Sequence, residues 1–353
     1  MSVIYSIGTA VPKYELKQDR AKEVISTLLT EKRLSKYLAV FDTAGINQRY
    51  FVTEPEWFQS KHGLSERNHL YMKYGIDLAE QAVFDCFKNH ELHMKDLDAI
   101  ISVTSTGILT PPLDVHLINR LPLKDTIRRY PLFGLGCAGG GVALSRAHDY
   151  LKANPTHSIM IVNCELATVA FHHDHVDQQN IVGAALFSDG ASCTVLLGHE
   201  HPLAKQRKEP SLYIKSSSSK LLKESMDVMG WDIKNDGFYV IFSTIIPKLV
   251  RSFWKDHLEE FLIKEQIDFK EIEYILAHPG GRKVLEEVEK IMFDHQMLDY
   301  SKEVLKQYGN MSSPTVLFVI KQALESRPFK RQHHLVTALG PGFTSEILLM
   351  EWK

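Results

Sequence analysis

Three side chains in this chain have the types a covalent acyl-transfer reaction needs: a sulfur at Cys137, an imidazole at His278 and a carboxamide at Asn310. Each stands in a turn rich in Gly or Pro: Gly134-Leu135-Gly136-Cys137-Ala138-Gly139-Gly140-Gly141, His278-Pro279-Gly280-Gly281 and Gly309-Asn310-Met311-Ser312-Ser313-Pro314. A thiol becomes a nucleophile as thiolate, which a helix N-terminus and a neighbouring imidazole both favour. The glycines beside Cys137 would let a bulky ligand approach the sulfur. An amide as third group is informative: an Asp would repel an enolate or oxyanion, whereas Asn donates an N–H to one. The trio suits thioester chemistry in which negative charge grows on a carbonyl oxygen. A small buried cysteine in a tight turn fits the first stretch equally well.

These turns must be held by strands and helices. The apolar run Tyr130–Phe133 precedes the cysteine turn, and Val142, Leu144, Ala147, Tyr150 and Leu151 follow at helical spacing, giving strand, turn, helix. Val3–Ile7, Leu97–Thr104, Ser158–Val162, a stretch ending at Leu197, Leu212–Lys215, Ile272–Ala277, His334–Ala338 and Thr344–Trp352 read as strands. The near-continuous apolar character of several indicates a sheet covered on both faces. Lys17–Leu29, Glu31–Phe41, Glu66–Phe87, Pro247–Ile263 and Thr315–Leu324 read as helices. The polar stretch His199–Pro210 divides the chain into residues 1–200, carrying the cysteine, and 211–353, carrying His278 and Asn310. The halves repeat at pattern level. From Leu97 to Gly136 is 39 residues and from Ile272 to Gly309 is 37, each running from a strand to a helix-start turn. A duplicated α/β fold with two pseudo-symmetric halves follows, with one site where the repeats meet.

Composition narrows the function classes. The 353 residues are 44% hydrophobic with a formal net charge of -2, which gives no field for nucleic acid. Four cysteines without a CxxC pair argue against a disulfide framework or a zinc site. No run is long enough for a membrane span, and the N-terminus lacks signal-peptide features, so a reduced, cytoplasmic protein is expected. Phe171-His172-His173-Asp174-His175 is crowded in a loop with no i, i+4 pair, so no metal site is expected there.

GCAGG, HPGG, GNMSSPT and LGPGF, in this order and spacing, resemble the signatures of type III polyketide synthases, the chalcone synthase-like branch of the thiolase superfamily. The resemblance runs through nearly the whole chain and implies a thiolase-like layered αβαβα fold. It implies an acyltransferase in which Cys137 takes an acyl group from CoA. His278 and Asn310 then bind the enolate left when malonyl-CoA loses carbon dioxide. The substrates are CoA thioesters, and no resident cofactor is implied. Phe187, in ALFSDG, matches an aromatic gatekeeper beside the cysteine. Thr106, Ser312, Ala167, Ala170, Val240 and Leu339 match pocket-wall positions. At the last four, plant members often carry Thr or Phe, so smaller apolar walls point to fatty acyl-CoA starters and alkylpyrone or alkylresorcinol products. Thr110 matches the position that crosses into a partner's pocket in a homodimer, and Arg49 is a candidate contact for a CoA phosphate. Two alternatives stay open: a priming ketoacyl carrier-protein synthase, and more distantly a cysteine hydrolase, although the latter's CGSCW-type signature is missing.

Overall fold

A computed structural model describes residues 1–28, 37–174, 177–292, 294, 296–326 and 329–353. The strands are β1 (Ser2–Ala10), β2 (Tyr14–Lys17), β3 (Gln48–Phe51), β4 (Ala99–Thr104), β5 (Arg128–Phe133), β6 (Ser158–Leu166), β7 (Asp189–Gly198), β8 (Leu212–Leu221), β9 (Met229–Lys234), β10 (Gly237–Phe242), β11 (Ile272–Ala277), β12 (His333–Gly340) and β13 (Thr344–Trp352). Nine of them form one sheet in the order β11-β12-β13-β8-β1-β7-β6-β4-β5. Outward from the antiparallel β1–β8 junction, each half repeats one scheme. β1–β7 and β8–β13 pair antiparallel, as do β7–β6 and β13–β12, and then β6–β4 and β12–β11 pair parallel. The repeat seen as a spacing is a real two-fold pattern of strand order. β5 extends the first half alone.

β4, β6 and β7 are buried along their whole length because they lie inside the sheet with both faces covered, whereas the edge strand β5 is largely exposed. Helix Ile76–Phe87 packs on one face against Leu97, Ile100 and Val162. On the other face helices Gly139–Ala153 and Thr315–Ser326 share a core of Ala143, Leu144, Leu151, Val316, Leu317 and Ile320 with Ile101, Ile161, Val336 and Leu348. In the second half Trp254, Leu258 and Phe261 cover Ile275, Ile347 and Leu349. This is the duplicated, layered thiolase-like fold.

Several expectations need adjustment. Residues 64–87 are one helical run, with a wider turn at Tyr71–Gly75. Of the helix expected over Glu31–Phe41, residues 31–36 lie outside the described residues, and a short helix covers Ala39–Thr43. The hairpin β9–β10 and the helices Arg282–Met292 and Asp299–Tyr308 were not foreseen.

The glycines after Cys137 serve packing and not ligand approach. A Cβ on Gly140 would lie 2.5 Å from the Ser313 carbonyl oxygen, and one on Gly139 would lie 2.7 Å from Val103 Cγ1. These glycines let the two central helices touch.

Candidate active site

Each helix start places its functional residue at the buried centre. Cys137 sits in the turn Gly136–Ala138, which β5 feeds and helix Gly139–Ala153 continues. Gly136 needs its left-handed φ of +49°, and a Cβ there would press on Pro341 of the LGPGF turn at 2.8 Å. His278 follows β11, its N–H donating to the Thr337 carbonyl at 2.8 Å. Asn310 precedes the second central helix and forms a bridge with Phe187.

The Asn310 carboxamide is held at both ends. Its oxygen accepts the Ser312 N–H at 2.8 Å and its nitrogen donates to the Gly280 carbonyl at 3.2 Å. Cys137 Sγ lies 3.9 Å from that oxygen and 4.0 Å from that nitrogen, so the sulfur and the carboxamide face one another. Ser312 adopts φ +60°, which a non-glycine residue holds only when its surroundings require it. The His278 ring lies beside the Gly280 turn. A Cβ on Gly280, whose carbonyl holds Asn310, would be 3.9 Å from His278 Nε2. Neither ring nitrogen of His278 has a hydrogen-bond partner among the described residues. One is therefore available for a substrate oxygen.

Burial governs the charges here. It pushes the Cys137 thiol up to about 11, against the hydroxyl of Ser312 and the carboxamide of Asn310, and it pulls His278 down to about 3. The helix start alone therefore does not make a resting thiolate.

A second layer was not foreseen. Glu165, near the end of β6, accepts the Ser105 N–H at 2.9 Å, the Thr106 hydroxyl at 2.7 Å and the Ser313 hydroxyl at 2.9 Å. Ser105 Oγ in turn accepts the Gly136 N–H at 2.7 Å. Burial raises this carboxyl to about 7. It ties the β4 end to the start of the second central helix beneath Cys137. The available signal was a single charged residue in a buried strand. Thr106 belongs to this network and not to a pocket wall, because its oxygen also accepts the Leu166 N–H at 3.0 Å.

Of the other expected pocket residues, Phe187, Ala167, Ala170 and Val240 converge on one pocket of about 590 Å³. Its remaining walls include Ala21, Val24 and Ile25 of helix Gln18–Leu28, with Phe51, Phe58 and Trp231. Leu339 is not there: it packs against the clusters of Trp254 and Phe343. Thr110 is exposed, between β4 and helix Leu113–Arg120. A separate cleft of about 1760 Å³ is lined by Leu186, Phe242, Gly280, Gly281, Arg282 and Lys283 among others. The consecutive residues Leu186 and Phe187 thus divide cleft from pocket. Arg49 corrects an expectation. It is 2% exposed, its guanidinium is bonded to the carbonyls of Ala184 and Phe187, and it lines the inner pocket beside Phe187, not the cleft of Arg282 and Lys283. His172 is likewise structural, with Nε2 3.0 Å from the Phe238 carbonyl oxygen and Nδ1 3.3 Å from Arg67, and His175 lies outside the described residues.

Comparison with known proteins agrees with this geometry. Residues 1–201 match the family model for the N-terminal domain of chalcone and stilbene synthases, and residues 213–352 match that for the C-terminal domain. A Bacillus subtilis (strain 168) protein bearing a provisional chalcone synthase name is 35% identical, covering 100% of this chain and 99% of its own length. A 1,3,6,8-tetrahydroxynaphthalene synthase of Streptomyces peucetius subsp. caesius is 30% identical over 99% of this chain and 93% of its own. Among solved structures, the C-terminal type III polyketide synthase domain of Steely1 from Dictyostelium superposes with a TM-score of 0.91 at 26% identity, covering 99% of both chains.

Proposed function

This chain belongs to the chalcone and stilbene synthase family and is a type III polyketide synthase, an acyltransferase that condenses malonyl-CoA; from that premise we propose that the starter it extends is a fatty acyl-CoA. The observation that carries the proposal is the pocket beyond Phe187, where Ala167, Ala170 and Val240 meet the apolar face of helix Gln18–Leu28. An alkyl chain gains there by leaving water, and no side-chain carboxylate lines the wall.

The site residues take these roles. Cys137 Sγ attacks the acyl-CoA carbonyl as His278 accepts the thiol proton. The proton then passes to the departing CoA sulfur, leaving the acyl group on Cys137. Malonyl-CoA next loses carbon dioxide, and the electron pair of the broken C–C bond forms an enolate. His278 and the Asn310 N–H hydrogen-bond its oxygen, an interaction of the kind whose loss costs on the order of 10²–10³ in rate. The enolate carbon attacks the acyl thioester and Cys137 leaves as thiolate. The Phe187 ring, 6.0 Å from Trp231 and 6.4 Å from Phe242, keeps water from the malonyl carboxylate and so favours its loss. No resident cofactor is required. Arg282 and Lys283 in the cleft beyond His278 offer the CoA phosphates the positive charge that buried Arg49 does not.

We further read the molecule as a cytoplasmic homodimer. β5 is an open sheet edge with Tyr130 41% and Phe133 54% exposed, a surface that a second copy would cover. All four cysteines are free thiols, and among the described residues no helix is long and apolar enough to cross a membrane. The test of the starter is direct. The purified enzyme is given lauroyl- to stearoyl-CoA or coumaroyl-CoA with labelled malonyl-CoA, and products are identified by mass spectrometry. Alkylpyrones or alkylresorcinols are expected. Turnover of coumaroyl-CoA with neglect of the long chains, or turnover only of carrier-protein thioesters, would remove the proposal.

A further inference from the structure

Arg49 is a buried cation with no ion pair among the described residues. Its partners are instead the carbonyl groups at the end of helix Gln178–Leu186, the helix that delivers Phe187. A helix leaves its last carbonyls without internal donors, and here each has a donor from elsewhere. Ala184 O and Phe187 O both accept from Arg49 Nη1, the latter at 3.0 Å. Ala185 O accepts from Gln18 Nε2 at 2.9 Å, and Leu186 O accepts the Asn310 N–H at 2.9 Å. Arg49 Nε also donates to Gln18 Oε1 at 3.1 Å, joining the two donors. A positive charge is favoured at this end of a helix. Although burial pulls the guanidinium down to about 9, it stays charged at neutral pH.

The arginine stem touches the other half of the site. A Cβ on Gly309, the residue before Asn310, would stand 2.7 Å from Arg49 Cγ. Its neighbours on β3 and just beyond continue the attachment. Tyr50 N donates to Ser188 Oγ at 2.9 Å and Val52 N to Asp189 Oδ2 at 2.9 Å. β3 is thus fastened along the segment that follows the gatekeeper.

We propose that Arg49, with Gln18, is a positioning residue for decarboxylation: one guanidinium fixes the carbonyls on both sides of the Phe187 turn and packs under Gly309, holding the Phe187 ring and the Asn310 carboxamide in one frame. The proposal rests on the condensing role of Cys137, His278 and Asn310 but not on the identity of the starter.

The test separates two steps in full-length Arg49→Ala, Arg49→Lys and Gln18→Ala enzymes. Carbon dioxide release is followed from carboxyl-labelled malonyl-CoA, Cys137 acylation by intact-protein mass spectrometry with the shortest acyl-CoA that the wild-type enzyme loads, and folding by thermal melting. In Arg49→Ala, carbon dioxide release falls on the order of 100-fold, the cost of a misplacement near 1 Å, while acylation changes less than about threefold. Arg49→Lys recovers part of the release, because an ammonium can still donate to the Phe187 carbonyl. Loss of both steps in parallel, or loss of neither, overturns the proposal. If Arg49→Ala does not fold, Gln18→Ala decides: a fall in release at unchanged acylation is expected, and unchanged release overturns it. Absence of carbon dioxide release from the wild-type enzyme would instead refute the condensing role itself.

Discussion

Substituting Gly140 by alanine tests how the two halves are held together. Alanine inside a helix ordinarily stabilises by about 0.5–1 kcal/mol relative to glycine. Here the added Cβ would lie 2.5 Å from the Ser313 carbonyl oxygen, 2.6 Å from Val316 Cγ1 and 2.8 Å from Leu317 Cδ2. Backbone cannot turn aside as a side chain can. Restoring ordinary contact near 3.4 Å moves the central helices apart by roughly 0.9 Å. Overpacking of this kind costs about 1–3 kcal/mol, which exceeds the propensity gain. The displacement also falls between the elements carrying Cys137 and Asn310, now 3.9 Å apart. A shift near 1 Å can cost about 10²-fold in turnover. Gly141→Ala is the control, since its Cβ would meet no backbone atom, its nearest contacts being side-chain carbons at 3.2 Å (Glu346 Cβ) and 3.5 Å (Ala338 Cβ); its change should stay within about 0.5 kcal/mol. Product formation from labelled malonyl-CoA is measured beside thermal melting. Wild-type turnover and melting temperature in Gly140→Ala, or equal damage in Gly141→Ala, would refute the packing account of these glycines.

Two further expectations concern pH and chain length. Burial holds His148, His172, His257 and His334 near 4 and His278 near 3, so each binds a proton more readily once unfolded. Stability from these groups is present above the unfolded value near 6.5 and is lost as pH falls towards the folded values. Glu165 near 7 and Asp189 near 6 act in the opposite sense, losing stability as pH rises towards those values. With five imidazoles against two carboxyls, the melting temperature should fall on acidification from pH 6.5 to 4, and a flat or rising profile would contradict this. Replacing Ala170 by phenylalanine fills part of the pocket beyond Phe187. The kcat/KM for stearoyl-CoA should drop about 10- to 200-fold more than that for a short starter, measured by competition, and an equal loss for both would place the chain elsewhere.

The turns bearing Cys137, His278 and Asn310 were legible because their signals are local: strand, Gly- or Pro-rich turn, helix, and a side-chain type suited to one chemistry. The repeat was legible as a spacing, and the structure shows it as a pairing scheme shared by both halves. What was not legible depends on distant partners. Arg49 has its carbonyl partner Ala184 135 residues away, and nothing in QRYF separates an arginine closing a helix end from one meeting a phosphate. Glu165 gives one charged letter in a buried strand, and its three donors come from both halves. The glycines were misread for a related reason. Absence of a side chain suits a ligand or a neighbouring helix equally, and only packing tells which. Leu339 matched a pocket position by alignment, yet it turns into the core between two apolar clusters.

Condensation depends on an acyl group residing on one sulfur while malonyl-CoA loses carbon dioxide. The most direct measurement is peptide mass spectrometry of enzyme quenched during turnover with an acyl-CoA and labelled malonyl-CoA. The acyl mass is predicted on the peptide containing Cys137, with one carbon dioxide released per two-carbon extension. A modification on another residue, or sustained product formation by a Cys137→Ser enzyme, would contradict it.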